Sequence, residues 1–104
     1  MVEIPSRKAR GMIERGEVSL VDVRTPNEFS ESHILGAINI NIHDPSFLEK
    51  IKELDLNRQY LVYCRGGGRS AQACILMQKM GYKNVINLSD GLLGWEGEGF
   101  HLER

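Results

Sequence analysis

Only two cysteines, three prolines and a single tryptophan occur among the 104 residues, and each scarcity excludes something. Two cysteines cannot staple a small fold, so a disulfide scaffold is excluded and reduced thiols are expected. No apolar run approaches the ~18 residues of a membrane span. The opening stretch Met1 to Lys8 lacks the apolar core of a signal peptide, so a cytoplasmic protein is expected. Charge of one sign is missing too, because 13 basic residues face 14 acidic ones and leave a formal charge of −1. That balance argues against a strongly basic nucleic-acid or membrane-surface binder. The remainder is ordinary globular composition, 41% hydrophobic and 26% charged. At this length one domain spanning residues 1–104 is expected, and it can bury roughly two thirds of its unfolded surface.

No internal repeat, low-complexity tract or composition break divides the chain. Short apolar runs alternate instead with helical patterns. Ser6 is placed to cap a helix carrying Ala9, Met12 and Ile13, with Gly16 at its end. Leu20, Val21 and Val23 form one strand candidate, and Ala37 to Ile40 another. Asp44-Pro45 reads as an N-cap followed by proline in the first helical position, with Phe47, Leu48, Ile51 and Leu54 as the buried face. Tyr60 to Tyr63 is apolar on both sides, as a central strand should be. Residues 70–80 read as a helix with Ala73, Leu76, Met77 and Met80 on one stripe and Gly81 behind it. Val85 to Leu88 is the next strand, and Gly91 to Trp95 opens a last short turn or helix. This alternation predicts a three-layer α/β domain with a central, mainly parallel sheet flanked by helices.

One loop carries the chemistry: Cys64-Arg65-Gly66-Gly67-Gly68-Arg69-Ser70. It follows the most buried strand candidate and precedes a helix, at the carboxyl edge where open α/β sheets bind ligands. Consecutive glycines are expensive in backbone entropy. Their use is to let successive N–H groups turn inward as an anion-binding nest, backed by a helix N-terminus. A cysteine at the mouth of such a nest has its thiolate stabilised. Arg65 and Arg69 add positive charge that could attract a small anion. The plain alternative is a flexible connection with Cys64 as a small buried hydrophobe; the coincidence of cysteine, arginines, glycines and topology disfavours it. A Walker A loop needs lysine at Arg69 and glycine at Tyr63, and fails on both counts. A cysteine-phosphatase loop sets five residues between cysteine and arginine, whereas Cys64 and Arg69 bracket four. The smaller cradle favours a single sulfur atom over a tetrahedral phosphate, which disfavours a phosphatase or arsenate reductase.

With these residues the sequence resembles the rhodanese (thiosulfate sulfurtransferase) family over nearly its whole length. Cys64-x-x-Gly67-x-Arg69-Ser70 is similar to that family's active-site loop. Asp22-Val23-Arg24 with Glu28, then His33-Ile34-x-Gly36-Ala37-x-Asn39, resembles its N-terminal signature. Leu88-x-x-Gly91 with Gly94-Trp95 resembles the C-terminal one. Ser32, Leu35 and Asp90 depart from the usual glycine, proline and glycine pair, and none of them touches the cysteine loop. The resemblance implies a ping-pong transfer: Cys64 takes the outer sulfur of a donor such as thiosulfate as a persulfide and passes it to cyanide or a thiol. It implies catalysis by Cys64, with residues 65–70 cradling the persulfide, and no metal or organic cofactor. The partners implied are a small anionic sulfur donor and a thiophilic acceptor. A carrier or sensor domain that receives its persulfide from a protein partner would use the same loop.

The remaining candidates are weighed by position. Arg69 could face substrate or anchor the glycine-rich loop by pairing with Glu28 or Asp22, and the need for an anchor favours the second. Arg65 is the better candidate for donor binding. Asp22 and Arg24 end a strand at the same edge and are expected to brace the site as an ion pair. Ser70 could donate to the sulfur, cap the helix, or do both. His33 sits in a turn-like segment that suits a structural hydrogen bond better than a cysteine–histidine dyad. His43 and His101 lack metal-ligand spacing. Cys74, inside the helix, is expected to be a buried core thiol, Trp95 and the methionines at helical spacing are expected in the core, and Glu96 to Arg104 is expected to be a solvated, partly frayed tail.

Overall fold

The computed structural model describes residues 1–104. Along the chain run β1 (Val2–Ile4), α1 (Ser6–Glu14), β2 (Ser19–Asp22), α2 (Pro26–Glu31), β3 (Ile38–Asn39), α3 (Phe47–Lys52), β4 (Tyr60–Tyr63), α4 (Gly68–Lys79), β5 (Val85–Leu88) and α5 (Gly91–Gly97). The five strands form one parallel sheet in the order β1-β5-β4-β2-β3. Parallel neighbours require crossovers, and these place helices on both faces. No helix is long and apolar enough to cross a membrane.

β4 sits at the centre, and all four of its residues are buried because each face is covered. The period of two assigns alternate residues to opposite cores. Val21, Tyr60, Val62 and Val85 pack with Phe47 and Ile51 of α3 and with Ala73 and Met77 of α4. Leu20, Leu61, Ile86 and Leu88 pack with Ala9 of α1 and with Leu92 and Trp95 of α5. Burying one such large apolar side chain contributes about 1.5–3 kcal/mol. Tyr82 closes the first core from the side, its hydroxyl donating to the carbonyls of Ile51 (2.6 Å) and Leu54 (2.7 Å) at the end of α3.

Several expectations from the sequence are corrected at element ends. Ser6 is the first residue of α1 rather than its cap, and Pro5 is the N-cap. The capping acceptor comes from far along the chain: Asp90 Oδ1 takes the Ser6 N–H at 3.0 Å and its hydroxyl at 2.8 Å. Asp44-Pro45 lies in a turn, since Asp44 Oδ1 accepts from Ser46 N–H (2.8 Å), and α3 begins at Phe47 after Ser46. Leu48 faces outward, 46% exposed. The strand expected over Ala37 to Ile40 shrinks to an edge pair in which Ile38 is half exposed. The helix expected from residue 70 starts at Gly68, at the loop's own glycines.

The tail is largely exposed, as expected, but it is tied down rather than frayed. Phe100 and Leu102 pack against the second core, Trp95 Nε1 donates to the His101 carbonyl (2.8 Å), and Glu103 exchanges two backbone hydrogen bonds with His33. Apolar residues alternating with charged ones hid this docking from a reading based on charge. The edge strand β1 also went unread, because three residues ahead of a proline carry too little periodicity.

Candidate functional site

β4 ends on Tyr63, and the chain turns through Cys64 to Gly67 into α4 at the carboxyl edge of the sheet. The turn requires glycine at one position above all. Gly67 has φ 103°, in the left-handed region, and a Cβ there would sit 2.6 Å from the Ser89 carbonyl oxygen. Gly67 is also the N-cap of α4, so the helix opens with its free N–H groups facing the cysteine.

Cys64 is 1% exposed, and its sulfur collects donors. The Gly67 N–H lies 3.1 Å from Sγ, the Ser70 N–H 3.4 Å, and the Ser70 hydroxyl 3.3 Å. Burial pushes the thiol up. The Ser70 hydroxyl and the N–H groups of Ser70, Gly67 and Gly66 together outweigh burial, and the thiol falls below its ordinary value. Two peptide planes of the loop are fixed from outside. The Cys64 carbonyl accepts from Leu92 N–H (2.9 Å) and the Arg65 carbonyl from Leu93 N–H (3.1 Å), both at the start of α5. Gly91 permits this approach: its φ is 59°, and a Cβ there would collide with the Arg65 carbonyl.

Two ion pairs stand around the loop. Arg69 makes a two-pronged pair with Glu28 (2.8 and 3.0 Å), a carboxyl held well down, at about 2, chiefly by that guanidinium. Glu28 is placed by a capping box on α2, in which Thr25 accepts the Glu28 N–H and Glu28 accepts the Thr25 N–H. The local signal for this box, Thr25-Pro26-x-Glu28, stands in the sequence itself. Arg24 and Asp22 form a second, buried pair (2.8 Å), and Arg24 also donates to the Ser32 carbonyl (2.6 Å). Asn39 ties the same corner by donating to the carbonyls of Asp22 and Arg24.

Arg65 is exposed and belongs to neither pair. It lines a cavity of about 100 Å3 beside the loop, together with Arg24, Glu28, Glu31, Ser32, Leu92, Leu93 and Glu96. The structure thus brings Cys64, Gly66, Gly67 and Ser70 together around one sulfur. It sets Arg69 against Glu28 and Arg24 against Asp22, and leaves Arg65 free at the rim. His33 stands apart, its Nδ1 2.9 Å from the Phe29 carbonyl and its ring stacked on Phe29. Cys74 is fully buried in the α3/α4 core, where burial pushes its thiol up to about 12.

A parallel α/β domain with a cysteine nest at the carboxyl end of its central strand defines a class of proteins that can hold an anionic sulfur. A profile of the rhodanese-like domain matches residues 6–98, and the chain belongs to that family. It is 36% identical to a putative sulfurtransferase of Bacillus subtilis, over 92% of this chain and 91% of the relative. It is 33% identical to a thiosulfate sulfurtransferase of Pseudomonas syringae, over 88% and 84%. Among solved structures, a rhodanese-related protein from Thermoplasma volcanium superposes with a TM-score of 0.89 at 29% identity, covering 99% of this chain and 98% of that one.

Proposed function

We propose that this chain is a sulfurtransferase in which Cys64 carries the sulfur as a persulfide. The observation that supports this most directly is the set of N–H and hydroxyl donors converging on Sγ from Gly67 and Ser70. A thiolate held by peptide dipoles needs no separate base to act as a nucleophile. It attacks the outer sulfur of thiosulfate; the S–S bond of the donor breaks and sulfite leaves with the bonding electron pair. The charge moves to the terminal sulfur of the Cys64 persulfide, one atom further into the loop. There the N–H groups of residues 65–70 act as an oxyanion hole does. A cyanide or thiolate acceptor then takes that terminal sulfur and returns the Cys64 thiolate.

Arg65, free at the rim, draws the anionic donor in. Arg69 with Glu28, and Arg24 with Asp22, hold the walls. A second reading, a carrier loaded by a protein partner, draws support from Leu93, which is 52% exposed on the same cavity as Arg65. Thiosulfate treatment followed by intact mass measurement tests the first reading. A gain of one sulfur atom, removed by cyanide and absent in Cys64→Ser, is expected. No gain on a reduced, accessible Cys64, with loading by a cysteine desulfurase instead, would select the carrier.

A further inference from the structure

Asn87 lies in β5, flanked by strands on both sides, and is 1% exposed. Its position between Ile86 and Leu88 turns it to the α4 side of the sheet, beside the cysteine loop. The amide nitrogen donates to Glu3 Oε2 (2.9 Å) and to the Gly67 carbonyl (3.2 Å). Its own Oδ1 has no partner at all, the only buried side-chain nitrogen or oxygen so left. Turning the amide over would not help, because it would set that oxygen against a carboxylate and a carbonyl, both acceptors. A buried acceptor without a partner destabilises the fold. A leucine of similar shape would remove the defect. What the asparagine does supply is a donor to Gly67.

That carbonyl matters because Gly67 is the left-handed residue of the turn, so holding its C=O restrains the backbone of the residue whose N–H meets the sulfur. The Cys64 and Arg65 carbonyls are held away from the sulfur by Leu92 and Leu93 N–H. The Gly67 carbonyl is held by Ala71 N–H (3.1 Å) and by Asn87. Gly67 is also the residue whose own N–H approaches Sγ to 3.1 Å. We propose that Asn87 is a positioning residue for the Cys64 loop, holding the Gly67 carbonyl against β5 so that the turn keeps the Gly67 N–H on the sulfur. Glu3, from the edge strand β1, orients the amide in turn. The role rests on reading Cys64 as the sulfur-carrying nucleophile.

Asn87→Leu and Asn87→Ala, compared with the unmodified chain, test it through two readouts: thermal melting, and the rate of Cys64 alkylation by iodoacetamide against pH. The leucine variant is expected to melt at or above the temperature of the unmodified chain. Its alkylation midpoint is expected at higher pH, with the rate below that midpoint reduced on the order of three- to tenfold. Sulfur loading from thiosulfate should fall by a similar factor. A folded variant with an unchanged pH profile would overturn the positioning role, as would failure of both variants to fold. An ordinary thiol profile in the unmodified chain would overturn the nucleophile reading itself, and the positioning role with it.

Discussion

Cys64 and Cys74 are both buried, 1% and 0% exposed, and both belong to the core between the sheet and α3/α4. Burial acts on them in the same direction, yet they end on opposite sides of an ordinary thiol. At Cys74 burial carries the thiol up to about 12. At Cys64 the same push is overcome by donors from Ser70, Gly67 and Gly66. The difference is the state of the neighbouring peptide groups. Inside α4 the N–H groups are consumed by the helix's own carbonyls, so none is left for the Cys74 sulfur and burial dominates. At the start of α4 those groups are free, and a left-handed glycine turns them to the sulfur. A buried thiol is pushed up or held down according to whether it lies inside a helix or faces its N-terminus.

Substitution of each cysteine breaks the comparison most sharply. Cys64→Ser is expected to abolish sulfur loading and turnover while leaving the far-UV circular dichroism unchanged. Cys74→Ala is expected to load sulfur fully, at a loss of about 1 kcal/mol for the small void left in the core. For a domain of this size that lowers the melting temperature by about 4–8 °C. Loading that survives in Cys64→Ser, or disappears in Cys74→Ala, would reverse the assignment.

Gly67→Ala attacks the geometry and keeps both thiols. The left-handed conformation alone disfavours a Cβ by about 1–2 kcal/mol, and the Ser89 carbonyl 2.6 Å away forces a further shift. A stability loss of at least about 2 kcal/mol is expected, with sulfur loading reduced more than about tenfold as the N–H at position 67 is turned from the sulfur. Denaturant titration beside intact mass separates the two effects.

Stability against pH sharpens the contrast, because the two thiols enter with opposite signs. Cys74 binds its proton more tightly folded than unfolded, so stability falls as pH rises above the ordinary thiol value toward about 12. The slope is up to about 1.4 kcal/mol per pH unit. Cys64 has its folded value lowered, so its contribution is present at alkaline pH and is lost as pH falls through that value. Unfolding midpoints measured across alkaline pH for the unmodified chain and Cys74→Ala should therefore converge as pH rises. Parallel curves would show that Cys74 does not hold its proton in the folded state.

What could be read in advance divides along a physical line. The strands Tyr60 to Tyr63 and Val85 to Leu88, and the cysteine nest itself, were legible because burial on both faces and a glycine run leave strong local signatures. Pairings across the chain left none. Asp90 caps α1 from the opposite end of the sequence, Glu103 ladders with His33, and Asn87 reaches Gly67 from another strand. Each depends on which strands become neighbours, and the order β1-β5-β4-β2-β3 is set by tertiary packing rather than by any local pattern. Glu28 stands between these cases: its capping box with Thr25 is local, while its pairing with Arg69 needs the assembled sheet edge.

The smallest effect expected comes from Arg65, and it decides whether charge or peptide donors separate the two cysteines. Arg65 adjoins Cys64 in sequence, but its side chain is exposed at the cavity rim, while the groups that lower the thiol are N–H and hydroxyl donors. An exposed charge in water interacts weakly over several ångströms and is screened by salt. Arg65→Gln should therefore leave the melting temperature unchanged, since surface substitutions fall within about 0.5 kcal/mol. The pH profile of Cys64 alkylation by a neutral reagent should not move either. What should change is capture of the anionic donor: KM for thiosulfate rises by a few-fold, about what 1 kcal/mol of lost ion pairing produces, and the difference shrinks as salt is raised. A neutral reagent and an anionic donor thus report on the same sulfur separately. If the alkylation profile shifts together with KM, the guanidinium and not the loop's peptide groups sets the nucleophile, and the contrast with Cys74 becomes one of charge.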